Sequence, residues 1–393
     1  MSLTRRRLFT GGLGSSDEAG WIAARGREAW AAGDRDQQPG APASRLIRIS
    51  SNENPLGPGA HVVGAITDAF PQAARYPGNA VVHEGALIAA LAKRFDARAA
   101  QVTLGAGSGE LLTNAVRAFT SPARPLVTAW PSFEAPRVTA EKIGTPVREV
   151  GFDAGLKIDL AQMIAAAKGA GLVFFCNPNN PTATVHGKTA VADLVKAVRA
   201  ASPDTVILVD EAYHDYVTDP SYESAMPLAL STPNVFVART FSKAHGMAGL
   251  RAGYAVGDPA VIARLAAFKT PNAVGTLTLA ASVASLANTA HIAAERARNT
   301  DVRAFTVKAL ADMGITGTDS QTNFLFADIK RPAAGFRDAC RVAGVLVGRD
   351  FPPFEKRYCR ISLGTMDEMQ RAVAVFRTVL GGAATSSRQQ GGR

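Results

Sequence analysis

One lysine is set apart by its neighbours. In Thr240-Phe-Ser242-Lys243-Ala-His-Gly-Met-Ala-Gly-Leu-Arg251, Lys243 directly follows an apolar, β-rich run and sits among small residues near an arginine. Close packing and nearby positive charge disfavour an ammonium, so such a lysine can keep a free amine that condenses with a carbonyl. Thr240 and Ser242 add hydroxyls and Arg251 adds a planar fork, a set suited to a phosphate. Lys243 by itself reads as a surface lysine; the surrounding pattern is what turns it toward chemistry.

Four further segments supply groups that such a ligand would need. Val206-Ile-Leu-Val-Asp210-Glu-Ala-Tyr213 is an apolar strand ending in a carboxylate. Burying an aspartate costs several kcal/mol unless it is paired, and a cationic ring nitrogen is a suitable partner. Tyr213 then stands ready for a phenolate oxygen on the same ring. In Cys176-Asn177-Pro-Asn-Asn180-Pro-Thr182-Ala183 two Asn-Pro steps impose an extended turn that can aim an asparagine amide. Leu104-Gly-Ala-Gly107-Ser108-Gly109-Glu110 runs from strand into helix, where unpaired backbone N–H groups and the helix dipole favour an anion. Trp130-Pro-Ser-Phe133 can lay an aromatic side chain against a ring. Taken singly, these are a salt-bridged aspartate, a loop, a weak glycine motif and a core aromatic. Together they describe a site for pyridoxal phosphate, whose ring nitrogen is held by an acidic residue.

The elements that must position these groups alternate. Candidate strands are Gln101–Leu104, Pro125–Ala129, Leu172–Cys176, Thr205–Asp210, Asn234–Arg239 and Tyr254–Gly257, with helical periodicity over Glu110–Phe119, Thr189–Ala201 and Pro259–Phe268. Near-continuous apolar strands between helices predict a mostly parallel sheet covered on both faces, with ligands at the strands' carboxyl ends. From Thr276 the pattern predicts one long Ala-rich helix, strand Asn323–Phe326, a helix, strand Tyr358–Ser362 and a final helix, a second α/β unit.

Composition bounds the reading. The chain has 393 residues, 47% hydrophobic and 19% charged, which suits a soluble enzyme with a large core. No stretch reaches the roughly 18 apolar residues of a membrane span. Three widely spaced cysteines and six scattered histidines give neither a disulfide framework nor metal-ligand spacing. The net charge of +10 is spread along the chain and forms no basic block interleaved with aromatics, which argues against a nucleic-acid surface. Arg5-Arg6-Arg7-Leu8-Phe9 resembles a twin-arginine export signal, with Ala41-Pro-Ala43 as a cleavage site. Asp17 and Glu18 interrupt what should be an apolar run of about 7–15 residues. A cytoplasmic protein with an N-terminal extension is therefore the favoured expectation, and periplasmic export the alternative.

These segments, in this order, resemble the fold-type-I pyridoxal-phosphate aminotransferases, especially the histidinol-phosphate aminotransferase branch, from Ser50 to about Leu380. Ser51-Asn-Glu-Asn54-Pro-Leu-Gly57, Arg75-Tyr76-Pro77 and Tyr358-Cys-Arg360-Ile-Ser-Leu-Gly-Thr365 resemble further signatures of that branch. The resemblance implies an α/β fold with a large domain built on a mostly parallel seven-stranded sheet, plus a smaller α/β domain. The expected division is an extension over 1–44, a joining segment over 45–70, a large cofactor domain over 71–275, a small domain over 276–380 and a disordered tail over 381–393.

It also implies roles. Lys243 is the Schiff-base lysine, Asp210 the ring-nitrogen partner, Tyr213 and Asn180 the ring-oxygen ligands, and Phe133 the stacking ring. Ser108, Gly109, Thr240, Ser242 and Arg251 hold the phosphate. Tyr76 reaches the cofactor of the other subunit in a homodimer. Arg360 binds a substrate anion, with Arg349 and Asn54 as further substrate contacts, and Asn323 lies near the site. The implied reaction moves an amino group from a small amino donor to a 2-oxo acid. An aromatic or other amino-acid aminotransferase, or a decarboxylase on the same scaffold, is the alternative. Three departures stand out: Ala183 where many members carry glycine, Phe133 for a frequent tyrosine, and the loop Gly348-Arg-Asp-Phe-Pro-Pro353.

Overall fold

The computed structural model describes residues 46–79 and 83–381. The twin-arginine start, the extension and the tail beyond Gly381 lie outside the described residues.

Seven strands make the main sheet: β1 (Val102–Gly105), β2 (Leu126–Ala129), β3 (Val147–Val150), β4 (Leu172–Cys176), β5 (Val206–Asp210), β6 (Val235–Thr240) and β7 (Gly253–Gly257). Their order is β1-β7-β6-β5-β4-β2-β3. Every pairing is parallel except those of β7, which runs antiparallel to both β1 and β6. The mostly parallel seven-stranded sheet is thus present. One member, β3, escapes the sequence pattern. It lies at the sheet edge and its middle residues, Arg148 and Glu149, are exposed, so it lacks the apolar run of a buried strand.

The period of two in the strands decides which face each side chain fills. Val173, Phe175, Ile207, Val209 and Val237 join one apolar cluster, with Val191, Leu194 and Val198 of helix Lys188–Ala201. Phe174, Leu208 and Phe236 point the other way, into a cluster with Leu111, Leu112 and Val116 of α1 (Ser108–Phe119). Each such side chain contributes about 1.5–3 kcal/mol by leaving water. Two covered faces leave the strands' carboxyl ends as the open edge, where Cys176, Asp210 and Thr240 close β4, β5 and β6.

A second sheet joins Thr316–Gly317, Phe324–Asp328 and Tyr358–Ser362 in antiparallel order, with Phe324–Asp328 in the centre. The single Ala-rich helix expected after Thr276 is two helices, Thr276–Ala287 and Thr289–Ala311, bent by 78°. Asn288 causes the break: its backbone leaves helical geometry and its side chain accepts the His291 N–H, capping the second helix. The entering segment Ile47–Arg48 pairs in parallel with Val345–Leu346, and Ile49 O accepts the Ser362 N–H. That seam delivers residues 50–54 to the open edge of the main sheet.

Behind this edge lies a buried ion pair. Arg239 donates from Nε and Nη2 to Glu211 Oε2 at 3.0 and 2.8 Å, and Ser224 Oγ and Ala225 N also donate to the same carboxylate. Both side chains are nearly inaccessible. Removing one partner strands the other charge, so Glu211→Ala should lower the unfolding free energy by about 3–5 kcal/mol. A shift of the urea midpoint to lower concentration at unchanged slope checks this; an unmoved midpoint contradicts it.

Candidate active site

A cavity of about 490 Å³ opens at the carboxyl ends of β4, β5 and β6, where an open α/β sheet is expected to bind a ligand. Ser108, Gly109, Phe133, Asn180, Asp210, Tyr213, Thr240, Ser242, Lys243, Arg251, Arg349 and Arg360 line it. Residues from 108 to 360 therefore converge on one space.

Lys243 lies in the loop after β6. Its Nζ donates to Asn52 O at 3.0 Å, with Ser51 O at 3.5 Å. Burial, helped by the Arg360 charge, lowers its pKa to about 8, while Glu53 and Asp210 oppose the shift. Asp210 ends β5 with Oδ2 at 3.9 Å from Cys176 Sγ and Oδ1 buried without a partner among the described residues. Burial pushes this carboxyl up to about 7, against the Ala212 amide and the Lys243 charge. Glu211, one residue on, is claimed by Arg239, which leaves Asp210 alone facing the cavity side. A buried acid with a spare acceptor is an incomplete arrangement that a bound cation or N–H donor would complete.

The Tyr213 phenol is fixed from an unexpected direction. Asn52 Nδ2 donates to its hydroxyl at 3.1 Å, Ser362 Oγ donates to Asn52 Oδ1 at 2.6 Å, and Asn52 N donates to Ser362 Oγ at 2.9 Å. Burial raises the Tyr213 pKa. Asn52 adopts a left-handed φ of 56° to make these contacts at once. The second sheet therefore grips the tyrosine that follows β5 through one asparagine.

At the other end, α1 begins at Ser108 directly after Gly107, whose φ is 80°. A Cβ on Gly107 would stand 2.2 Å from Arg251 Nη2, and one on Gly253 would stand 2.3 Å from Ser108 N. Only glycines let strand β7, the helix start and the arginine meet. Thr240 Oγ1 donates to Ser242 Oγ at 2.9 Å, and Arg251 Nη1 approaches the same Oγ at 3.3 Å. Free helix amides, two hydroxyls and a guanidinium make an anion cradle. The cradle, the unpartnered carboxylate and the amine of depressed pKa fit the phosphate, ring nitrogen and carbonyl of pyridoxal phosphate.

Arg360 is buried on the strand Tyr358–Ser362. Its Nη1 donates to Asn180 Oδ1 at 2.9 Å and its Nη2 to Ser50 O at 2.7 Å, while Nε has no partner among the described residues. Its guanidinium lies 4.9 Å from the Phe351 ring. Arg349 lies at the mouth, 4.3 Å from the same ring, with Nη2 on Glu134 Oε2.

Asn54 and Asn323 lie outside this cavity, and Tyr76, expected to serve a second copy, lies outside its own. Asn54 is not among the lining residues; its Nδ2 donates to Ala244 O at 3.1 Å and its Oδ1 accepts the Leu56 N–H. The short turn of the signature points Asn52 and Glu53 inward and Asn54 away. Asn323 also stays outside, its Nδ2 weakly on Glu53 O at 3.4 Å. Tyr76 is 75% exposed and lies away from this chain's own cavity. Ala183 takes a left-handed φ of 61° in a buried turn, the conformation that makes glycine the easier residue there. Sequence reading missed Asn52, Glu53, Glu134, Cys176 and Ser362. Asn52, Glu53, Cys176 and Ser362 stood inside quoted segments without being singled out, and nothing local marks Glu134 beyond its place after Phe133.

Residues 44–376 match the family model described as aminotransferase class I and II. A histidinol-phosphate aminotransferase from Symbiobacterium thermophilum is 37% identical over 86% of this chain and 91% of its own. An aromatic amino acid aminotransferase from Thermobifida fusca is 38% identical over 86% of this chain and 91% of its own. A histidinol-phosphate aminotransferase from Sinorhizobium meliloti, solved in complex with pyridoxal-5'-phosphate, superposes with a TM-score of 0.78. It is 23% identical, covers 97% of this chain and 99% of its own, and supports the fold alone.

Proposed function

Because the chain belongs to the class I and II aminotransferase family, we propose that this cavity transfers an amino group from a donor to a 2-oxo acid, with Lys243 handling the proton. The enzyme is a pyridoxal-phosphate-dependent transferase, similar to histidinol-phosphate and aromatic amino-acid aminotransferases. When bound, pyridoxal phosphate supplies a carbonyl that condenses with amines and a ring that takes up the electrons left at the donor's Cα.

The chain's own residues do the rest. Lys243 Nζ, with its pKa brought down to about 8, is substantially neutral at mildly basic pH. It is placed to take up the donor's Cα proton and to give a proton back within the same cycle. Asp210 Oδ1 would hold a proton on the ring nitrogen. Tyr213, aimed by Asn52, and Asn180 would hold the ring hydroxyl, and Phe133 would pack against the ring. The Ser108 and Gly109 amides, Thr240, Ser242 and Arg251 would hold the phosphate. Arg360 takes the donor's anionic group. Tyr76, exposed and away from its own cavity, completes the phosphate site of a second copy in a homodimer. The observation that carries the assignment is the pairing, in one cavity, of an amine of lowered pKa with a buried carboxylate oxygen that has no partner among the described residues.

The test is a half-reaction. The full-length protein, loaded with pyridoxal phosphate, is mixed with phenylalanine, glutamate, aspartate or histidinol phosphate in the absence of an acceptor. The visible cofactor band should bleach with one equivalent of 2-oxo acid (from histidinol phosphate, of ketone) per site, and recover when a 2-oxo acid is added. Sustained carbon dioxide release without an acceptor would identify a decarboxylase instead. Failure of the chain to take up the cofactor would refute the assignment.

A further inference from the structure

Two positive charges share the donor's anion end, but one of them is already answered. The Arg360 and Arg349 guanidinium groups pack on the same Phe351 ring, 4.9 and 4.3 Å from its centre. Arg360 is buried and turned to neutral oxygens, Asn180 Oδ1 and Ser50 O, so its charge is not cancelled by a carboxylate there. Arg349 is half-exposed and holds Glu134 Oε2 at 2.5 Å. Glu134 follows Phe133 in the chain, so this ion pair ties the ring-covering loop to the Gly348–Pro353 loop across the cavity mouth, and both its residues line the cavity. The end of the cavity therefore presents a net charge of about one, not two. Arg349 and Glu134 both act on Arg360 electrostatically, in opposite directions.

This balance discriminates between anions. A carboxylate carries one charge and two oxygens, which matches a single guanidinium fork. A phosphomonoester carries between one and a half and two charges near neutral pH and three acceptor oxygens. To gain a second cation it would have to displace Glu134 from Arg349 and then lie beside the displaced carboxylate. Like charge brought close in a partly desolvated site is a repulsive element against the wrong ligand.

We infer that Glu134 is a specificity-determining residue which, by neutralising Arg349, selects amino donors bearing a carboxylate, that is α-amino acids, over phosphomonoester donors. The inference rests on the aminotransferase assignment and on Arg360 as the anion-binding residue. It names a substrate class where relatives of nearly equal similarity carry names of both kinds.

The test compares the wild-type holoenzyme with Glu134→Gln, which keeps the size of the side chain and removes its charge. Two unreactive probes, 3-phenylpropanoate and 3-phenylpropyl phosphate, are titrated by calorimetry, and phenylalanine and histidinol phosphate are compared as donors. The wild type should bind the carboxylate probe more tightly. In Glu134→Gln the ratio of phosphate to carboxylate affinity should rise at least about tenfold, with a parallel rise in relative kcat/KM for histidinol phosphate. Adding Arg349→Gln should erase that gain, because the freed charge is then gone. A purely structural clasp would weaken both probes together, and that result, or an unmoved ratio, overturns the role of Glu134. If neither probe binds and no donor reacts even in the wild type, the aminotransferase assignment itself falls.

Discussion

Replacing Lys243 by alanine should cut transamination by about 10⁴-fold or more, while the protein still folds and still retains pyridoxal phosphate. A positioned acid–base group is worth about 10²–10⁴-fold, and Lys243 is used both to remove and to return a proton. Folding should survive because, among the described residues, its Nζ bonds only to two backbone oxygens, Asn52 O and Ser51 O. Cofactor retention should survive because the phosphate cradle is made by other residues. Borohydride reduction followed by mass spectrometry of peptides gives a second readout. The wild type should carry the cofactor mass on the Lys243 peptide, and the variant should carry none. Small primary amines added to the variant should restore part of the rate, which a misfolded protein would not allow. In the wild-type apoprotein, cofactor uptake should speed up as pH rises toward about 8 and then level, since the lowered pKa frees the amine there. Modified peptide elsewhere, or full activity in Lys243→Ala, would reassign the lysine.

Asp210→Asn should inactivate the enzyme and yet stabilise its apoprotein. The folded pKa of Asp210 stands at about 7, pushed up by burial, against about 3.9 for an unfolded aspartate. An acid whose folded pKa is raised carries no penalty below the unfolded value and the full penalty above the folded one. Apoprotein stability contributed by this site should therefore fall between about pH 4 and 7, by on the order of 4 kcal/mol in total. Asparagine does not titrate, so the variant should lose that slope and exceed the wild type in urea at pH 8. Activity should fall by about 10²–10⁴-fold, because a buried charge pair with the ring nitrogen is worth about 3–5 kcal/mol. Saturating pyridoxal phosphate should reverse the order of stability, since only the carboxylate completes a charge pair with the ring. The neighbouring Glu211→Ala should destabilise the apoprotein, because that carboxylate already has its arginine. Two adjacent buried acids with opposite consequences make the experiment self-controlled. An apoprotein of Asp210→Asn less stable than the wild type at pH 8 would mean that Asp210 has a partner of its own.

Much of the fold was legible from local pattern. Leu172–Cys176 and Tyr358–Ser362 were expected at the bounds observed, and β5 and β6 within one residue at either end. Long apolar runs leave a strand buried on both faces few other states. The edge strand Val147–Val150 carried no such run, and one asparagine divided a helix that its Ala-rich flanks made look continuous. Edges and breaks depend on one or two residues, so they show weakly in any pattern summed over a window.

The cavity divides along the same line. Lys243, Asp210, Asn180 and the α1 start were readable because each stands at a fixed offset from a strand end, and a parallel sheet brings such ends to one edge. Residue types at those ends therefore determined the cofactor chemistry. Tertiary structure alone decided which groups aim and balance that chemistry. Asn52 grips Tyr213 only because Ser362, 310 residues away, closes on it. Arg349 loses its free charge only because Glu134, 215 residues away, faces it. Local sequence records what each segment prefers, through side-chain periodicity and turn chemistry. Partners brought together by the folding of distant segments leave no trace in the spacing of either, so the tuning of this site became visible only when the chain closed on itself.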